Sequence, residues 1–313
     1  MNEHNTNAAT QAAHRAGRVV VLGSLNVDLF ARVQRHPLPG ETVLGQGGET
    51  RSGGKGANQA VAAALAGANV TMIGCVGSDA NAQVALAGLR RAGVDVSGVR
   101  VVEGPTGIAL ITVSADGENS IIVIPGANAA LNEIEVSALA DLGTGDVCVL
   151  QGEVPVEIAA QAAQAAHGRG ARIVINLAPV VDYPAEVLRC ADPLIVNEHE
   201  GLGALELLGG SGTDAGDPRA LMVALLAAGV PTVAMTLGGD GALIGAGDSI
   251  DAVPADAVPV VDTTGAGDAF AGALAQGLAA GSTLLQSAHR ANDFAAHAVQ
   301  HAGAQDSYPD WRA

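Results

Sequence analysis

Residues 260–273 read Val260-Val261-Asp262-Thr263-Thr264-Gly265-Ala266-Gly267-Asp268-Ala269-Phe270-Ala271-Gly272-Ala273. The apolar pair at the front reads as the end of a strand. Two threonines and two glycines make a tight turn, and an Ala-rich helix starts at about Asp268. A turn that opens a helix aims unpaired backbone N–H groups at whatever lies above it, so Gly265, Ala266 and Gly267 form an anion site. Glycine lets a phosphate approach the backbone because no Cβ intervenes. A carboxylate beside such a site suits a general base, as an enzyme that phosphorylates a hydroxyl requires. An ordinary strand–turn–helix connection, with Asp268 as a helix N-terminal charge, accounts for the same residues.

Outward from this stretch, strand-like and helix-like segments alternate. Strands are expected at Arg18–Leu22, Asn69–Cys75, Val147–Leu150, Ile173–Ile175, Pro193–Val196, Thr232–Thr236 and Ala242–Ile244. Helices are expected at Asn81–Ala92 and near 156–167, 218–228, 268–280 and 283–299. This rhythm predicts an α/β fold, a doubly wound and mainly parallel sheet with helices on both faces. Residues 29–51 and 105–125 break it with short alternating pieces, the second containing a hairpin at Asp116-Gly117, and predict a small inserted β lid. Residues 1–17 are polar and aperiodic and predict a disordered tail, with one domain over 18–313.

Polar residues fall at the expected strand ends, where an open α/β sheet places its ligand crevice. They are Asn26 and Asp28 in GSLNVD, Glu153 in QGEVP, Asn176 in INLAP, Asn197 and Glu200 in VNEHE, and Thr236, Gly238 and Gly241 in TLGGDG. Period-two spacing puts Asn26 and Asp28 on one face of an extended segment, although an Asx turn reads the same pair. The single lysine of the chain, Lys55, lies in the glycine cluster Ser52-Gly53-Gly54-Lys55-Gly56-Ala57-Asn58, ahead of a long alanine helix. This cluster is not a P-loop, since Gly56 rather than Ser or Thr follows the lysine.

A net charge of −17 argues against nucleic-acid and anionic-membrane partners. Cys75, Cys148 and Cys190 are far apart in apolar surroundings and read as buried free thiols. With no apolar leader and no membrane-length run, a cytoplasmic protein is expected.

The motifs GSLNVD, GGKGANQAVAAA, GPTGIALITV, PGANAALN, VNEHE, TLGGDG and DTTGAGDAFAGAL together resemble the ribokinase (PfkB) family of sugar kinases, from about Val19 to Trp311. The lysine of GGKGAN and the GSLNVD stretch are most similar to its ribokinase branch. The resemblance implies ATP-dependent phosphorylation of the 5-hydroxyl of D-ribose, with another pentose, deoxyribose, a nucleoside or a hexose as alternative acceptors, or a non-catalytic sugar sensor. It implies Asp268 as base beside the anion hole, and Asn26, Asp28, Gly54, Lys55, Asn58, Glu153 and Asp268 itself as sugar contacts. Asn197 and Glu200 would orient Mg²⁺ and phosphate, while Thr236, Gly238, Gly241 and Asn292 would serve the nucleotide. Asp262, Thr264, Ala298, His301, Gly303 and Ser307 would surround a K⁺ ion. A homodimer through the lid is also implied. Three departures from the family pattern stand out: SDANA at 78–82, Asn292 where some ribokinases have His, and an end at Ala313 without the family's common terminal helix.

Overall fold

The computed structural model describes residues 17–211 and 216–312. The expected tail, apart from Gly17, lies outside the described residues.

Alternate residues of β1 (Val19–Leu22) go to opposite cores. Val19 and Val21 join one apolar cluster, Val20 and Leu22 the other. A strand buried on both faces belongs inside a parallel sheet covered by helices on each side. β1 sits third from one end of a nine-stranded sheet. On one side of it run β4 (Val70–Gly77) and β5 (Asp95–Val102). On the other run β8 (Val147–Leu150), β9 (Arg172–Asn176), β10 (Leu194–Val196), β11 (Thr232–Thr236), β12 (Ala242–Ala246) and β13 (Ser249–Val253). All pairings are parallel except β11–β12 and β12–β13.

Helices α1 (Lys55–Leu65), α2 (Asn81–Arg91), α8 (Ala266–Ala279) and α9 (Leu284–Ala298) cover one face. The other face carries α3 (Glu133–Ser137), α4 (Val156–His167), α5 (Ala185–Leu188), α6 (Glu198–Leu207) and α7 (Pro218–Ala227). Connections turn from one side of β1 to the other between β1 and β8. The crevice above that switch point is where such a sheet holds its ligand.

A separate four-stranded sheet stands over this crevice, in the order β3 (Gln46–Gly53), β2 (Asn26–Arg32), β6 (Gly107–Val113), β7 (Asn119–Ile124). Its first strand starts at Asn26, so the lid begins three residues ahead of the expected Leu29.

Three other expectations are corrected. The Val260-Val261 pair is not a strand: β13 already closes that edge, and the chain crosses to α8 as an irregular segment with both valines exposed. It is held instead by Val261 and Asp262 N–H groups donating to Val299 O at 2.8 and 3.2 Å. The helix that follows starts at Ala266, two residues ahead of Asp268. Among the cysteines, Cys75 and Cys148 are buried, but Cys190 is half-buried, since it follows the short α5 at the rim of the sheet.

Candidate active site

Gly265 caps the start of α8, and its φ of +75° is the left-handed conformation that glycine adopts without strain. A Cβ there would also lie 2.6 Å from the Ala304 Cβ and 2.7 Å from the Tyr308 hydroxyl oxygen. Ala266 N–H turns back to Thr263 O at 3.1 Å, and Ala269 N–H closes the first helical bond on Gly265 O at 2.8 Å. Helix geometry leaves the intervening N–H groups without acceptors further back along the helix, facing the crevice.

Gly272, four residues beyond Asp268 and so on the same face of the helix, brings α8 against α1: a Cβ there would be 2.5 Å from Gln59 O. This close crossing carries Asp268, 6% exposed, to the amides of α1. Asn58 Nδ2 donates to Asp268 Oδ2, and Gln59 Nε2 to Oδ1, each at 2.9 Å.

The seven residues expected to contact sugar surround one cavity of about 240 Å³: Asn26, Asp28, Gly54, Lys55, Asn58, Glu153 and Asp268. Thr263, Thr264 and Gly265 line it on the α8 side, while Ala109, Ile111, Asn119, Ile121 and Val123 close it from the lid. Asn26 and Asp28 do share a face of β2. Asn128 fixes Asn26, donating Nδ2 to Asn26 Oδ1 at 2.7 Å and accepting Leu25 N–H at 2.9 Å. Glu153 Oε2 accepts the Ser24 hydroxyl at 2.6 Å and Lys55 N–H at 3.1 Å, which docks its carboxylate on the N-terminus of α1.

Three carboxylates and one ammonium share this small space. Burial, then repulsion from Glu153 and Asp268, pushes the Asp28 carboxyl up to about 7. Attraction from Asp268 raises Lys55; burial opposes it, and Glu153 and Glu200 add to the rise. The cavity thus offers hydroxyl groups both acceptors and donors, with a fixed cation and a helix N-terminus for an arriving anion.

Of the other candidates, Thr264 and Gly265 line this cavity and the rest lie outside its lining. Asn197 and Glu200 form the capping box of α6: Glu200 N–H donates to Asn197 Oδ1 and Asn197 N–H to Glu200 Oε2, both at 2.8 Å. Burial raises the Glu200 carboxyl against the opposing pull of that N–H bond and of Lys55. Thr236 ends β11, and Gly238 and Gly241 form the tight turn into β12. Asn292, on α9, donates its amide to Val253 O at 2.8 Å and to Pro254 O at 3.4 Å, so that amide ties α9 to the chain leaving β13.

Of the six cation candidates, three are directly joined. Asp262 Oδ1 accepts Thr264 N–H at 2.9 Å and its Oδ2 accepts Gly303 N–H at 2.8 Å. Burial alone would raise the Asp262 carboxyl, but the Thr264 and Gly303 bonds outweigh it and hold it low. Ser307 donates to Ala304 O at 2.8 Å, Ala298 O accepts His301 N–H at 3.1 Å, and the His301 ring is exposed. No cluster of three His, Cys, Asp or Glu side chains suited to a metal occurs among the described residues.

A larger hollow of about 510 Å³ opens at the opposite end of the strands, where β8 and β9 begin. Its Arg172 is paired with Asp192 at 2.9 Å and its Cys190 thiol donates to Glu186 O at 3.2 Å.

Sequence reasoning missed the residues behind Asp268: Gln59, Gln151 and Gln305, all buried. The one available signal was a glutamine directly after Asn58 at the head of an otherwise alanine-rich helix.

Residues 16–311 match the pfkB family carbohydrate kinase. The chain is 38% identical over 301 residues to a ribokinase of Schizosaccharomyces pombe, across 93% of this chain and 94% of that one. It is 36% identical over 295 residues to a deoxyribokinase of Salmonella typhi, across 93% and 95%. The structure of Arabidopsis thaliana ribokinase complexed with ribose and ATP superposes with a TM-score of 0.83 at 32% identity, covering 95% of this chain and 96% of that chain. With the α8 turn, the buried carboxylate and the lidded crevice, these matches place the chain in the PfkB family of carbohydrate kinases.

Proposed function

We propose that the chain transfers the γ-phosphoryl group of ATP to the 5-hydroxyl of D-ribose, giving ribose 5-phosphate and ADP. The observation that carries this reading is the convergence of all seven expected sugar contacts on one cavity, with Asp268 buried beside the α8 turn. Asp28, Asn26, Asn58 and Glu153 hold the sugar hydroxyls. Asp268 takes the proton of the reacting hydroxyl as its oxygen attacks the γ-phosphorus and the bond to the departing ADP breaks. The N–H groups at the head of α8 that lack acceptors, Gly267 among them, receive the charge on the moving phosphoryl group, while the Ala266 N–H is turned to Thr263 O at 3.1 Å; Lys55 supports them from α1. The lid keeps water out, without which ATP hydrolysis would compete.

Thr236, Gly238, Gly241 and Asn292 border the nucleotide. Asn197 and Glu200 would hold magnesium and orient the phosphates; a lone carboxylate suits Mg²⁺, which would retain water ligands and offset phosphate charge when bound. Asp262 and Thr264, with the 298–307 segment, offer the oxygen-rich surroundings that K⁺ requires. No described helix is long and apolar enough to cross a membrane, and we assign the enzyme to the cytoplasm.

The likeness to a deoxyribokinase supports a second reading, with deoxyribose as acceptor. The test is ADP release over a sugar panel with ATP and Mg²⁺, with and without K⁺. Turnover is expected to peak on ribose and to rise with K⁺. A peak on deoxyribose keeps the chemistry and changes the acceptor. Asp268→Asn is expected to bind sugar normally and to lose at least about 1,000-fold in kcat; an active Asp268→Asn enzyme removes Asp268 as the base.

A further inference from the structure

The Asp268 carboxylate is held by two chains of buried amides whose direction it dictates. A carboxylate only accepts hydrogen bonds, so Gln59 must present its NH₂ to Oδ1. That same NH₂ also donates to Asn176 Oδ1 at 2.9 Å, which uses both of its hydrogens. Gln59 Oε1 then faces outward and accepts Gln151 Nε2 at 2.9 Å. On the other oxygen the order repeats, with Asn58 donating to Oδ2 and its own Oδ1 accepting Gln305 Nε2 at 2.9 Å.

Each chain ends on an amide oxygen set against a glycine. A Cβ at Gly23 would lie 2.0 Å from Gln151 Oε1, and one at Gly88, inside α2, would lie 1.8 Å from Gln305 Oε1. Residues far apart in sequence have thus been fitted around one direction of donation. Gln59 itself is 0% exposed and never reaches the cavity, so it cannot be a sugar contact.

We propose that Gln59, locked by Gln151 and Asn176, is a positioning residue that sets the plane of the Asp268 carboxylate for proton abstraction. The proposal rests on the kinase reading above. The titratable groups around Asp268 are Asp28 on β2, Lys55 on α1, Glu153 in the same cavity, Glu200 on α6 and the Tyr308 hydroxyl. Substitution at Gln59 leaves all five in place.

The test compares the wild-type chain with Gln59→Met and Gln151→Met, reading kcat and the KM for sugar across pH. For Gln59→Met, kcat is expected to fall about 10- to 100-fold, with the KM for sugar within about twofold of wild type. Removing a hydrogen bond to the ionised form makes protonation easier, so the acid limb of the kcat profile moves to higher pH. Gln151→Met keeps every atom that touches Asp268 and is expected to shift kcat and the limb in the same direction by less. It carries the test should Gln59→Met not fold. Wild-type turnover with kcat and acid limb unmoved in the variants, or a loss confined to KM, overturns the positioning role alone. A wild-type chain inactive on every sugar overturns the kinase reading and this role with it.

Discussion

Asp28 bears a cost that the cavity imposes on the fold. Its carboxyl is raised to about 7 by burial first and by Glu153 and Asp268 second. Below about pH 4 it is neutral in both folded and unfolded chains and costs nothing. As pH rises from about 4 to about 7 the unfolded chain ionises first, so stability is lost through that window and stays lost above it. Asp28→Asn is therefore expected to stabilise the sugar-free protein by on the order of 2–4 kcal/mol near pH 8 and hardly at all near pH 4, while weakening sugar binding. Thermal unfolding at the two pH values checks this, and an equal gain at both would locate its cause elsewhere than in titration. At this scale the sequence was legible where a residue was conspicuous: the single lysine, and a carboxylate beside a glycine turn. Gln59, Gln151 and Gln305 were not, because an amide shows its purpose only when its neighbours arrive from distant segments.

Among the elements, the head of α8 contains two glycines that do different work, and substitution separates them. Gly265 needs its positive φ and has no room for a Cβ beside Ala304 and Tyr308. Gly265→Ala is expected to destabilise the fold by about 2–4 kcal/mol, from left-handed strain plus displaced neighbours, and to abolish most turnover. Gly267 lies inside the helix, and a methyl added there would meet nothing within 4 Å. Gly267→Ala is expected to fold as well as wild type, or better by up to about 1 kcal/mol from helix propensity, yet to lose about 100-fold in kcat because the methyl enters the anion hole. Denaturant midpoints and kcat measured on both variants check the pair. If Gly267→Ala keeps full turnover, its position is not where the phosphoryl group sits. Helices and parallel strands were readable here because alanine-rich segments and continuous apolar runs alternate along the chain. β5 and β13, with their mixed composition, escaped notice, as did α6, whose start in VNEHE reads equally as a strand end. The valines at 260 and 261 mimicked a strand because an apolar pair carries no record of whether a sheet edge remains to receive it.

For the whole molecule, the lid raises a question of burial that one chain leaves open. Asp28, Ala109 and Val123 pair in register and face the cavity, as do Ile111 and Ile121. By strand alternation the next row, Leu29, Leu110 and Ile122, points the other way, and so do Ile108 and Ile124. Ile122 is 62% exposed and Ile124 46%, on an edge strand that is exposed along its length. An apolar sheet face of this kind, ending in an unpaired edge, favours self-association, and a two-fold arrangement would bury the same row of each chain against its mate. The protein is therefore expected to be a dimer at micromolar concentration by light scattering. Ile122→Lys, which places a charge at the centre of the outer row while Ile121 and Val123 still face the sugar, is expected to give a folded monomer. Its KM for sugar should rise, since a lid without its partner holds Asn26 and Asp28 less firmly over Lys55, Glu153 and Asp268. A wild-type monomer at that concentration would mean that the outer row is simply tolerated in water, and the lid must then close on sugar contacts alone.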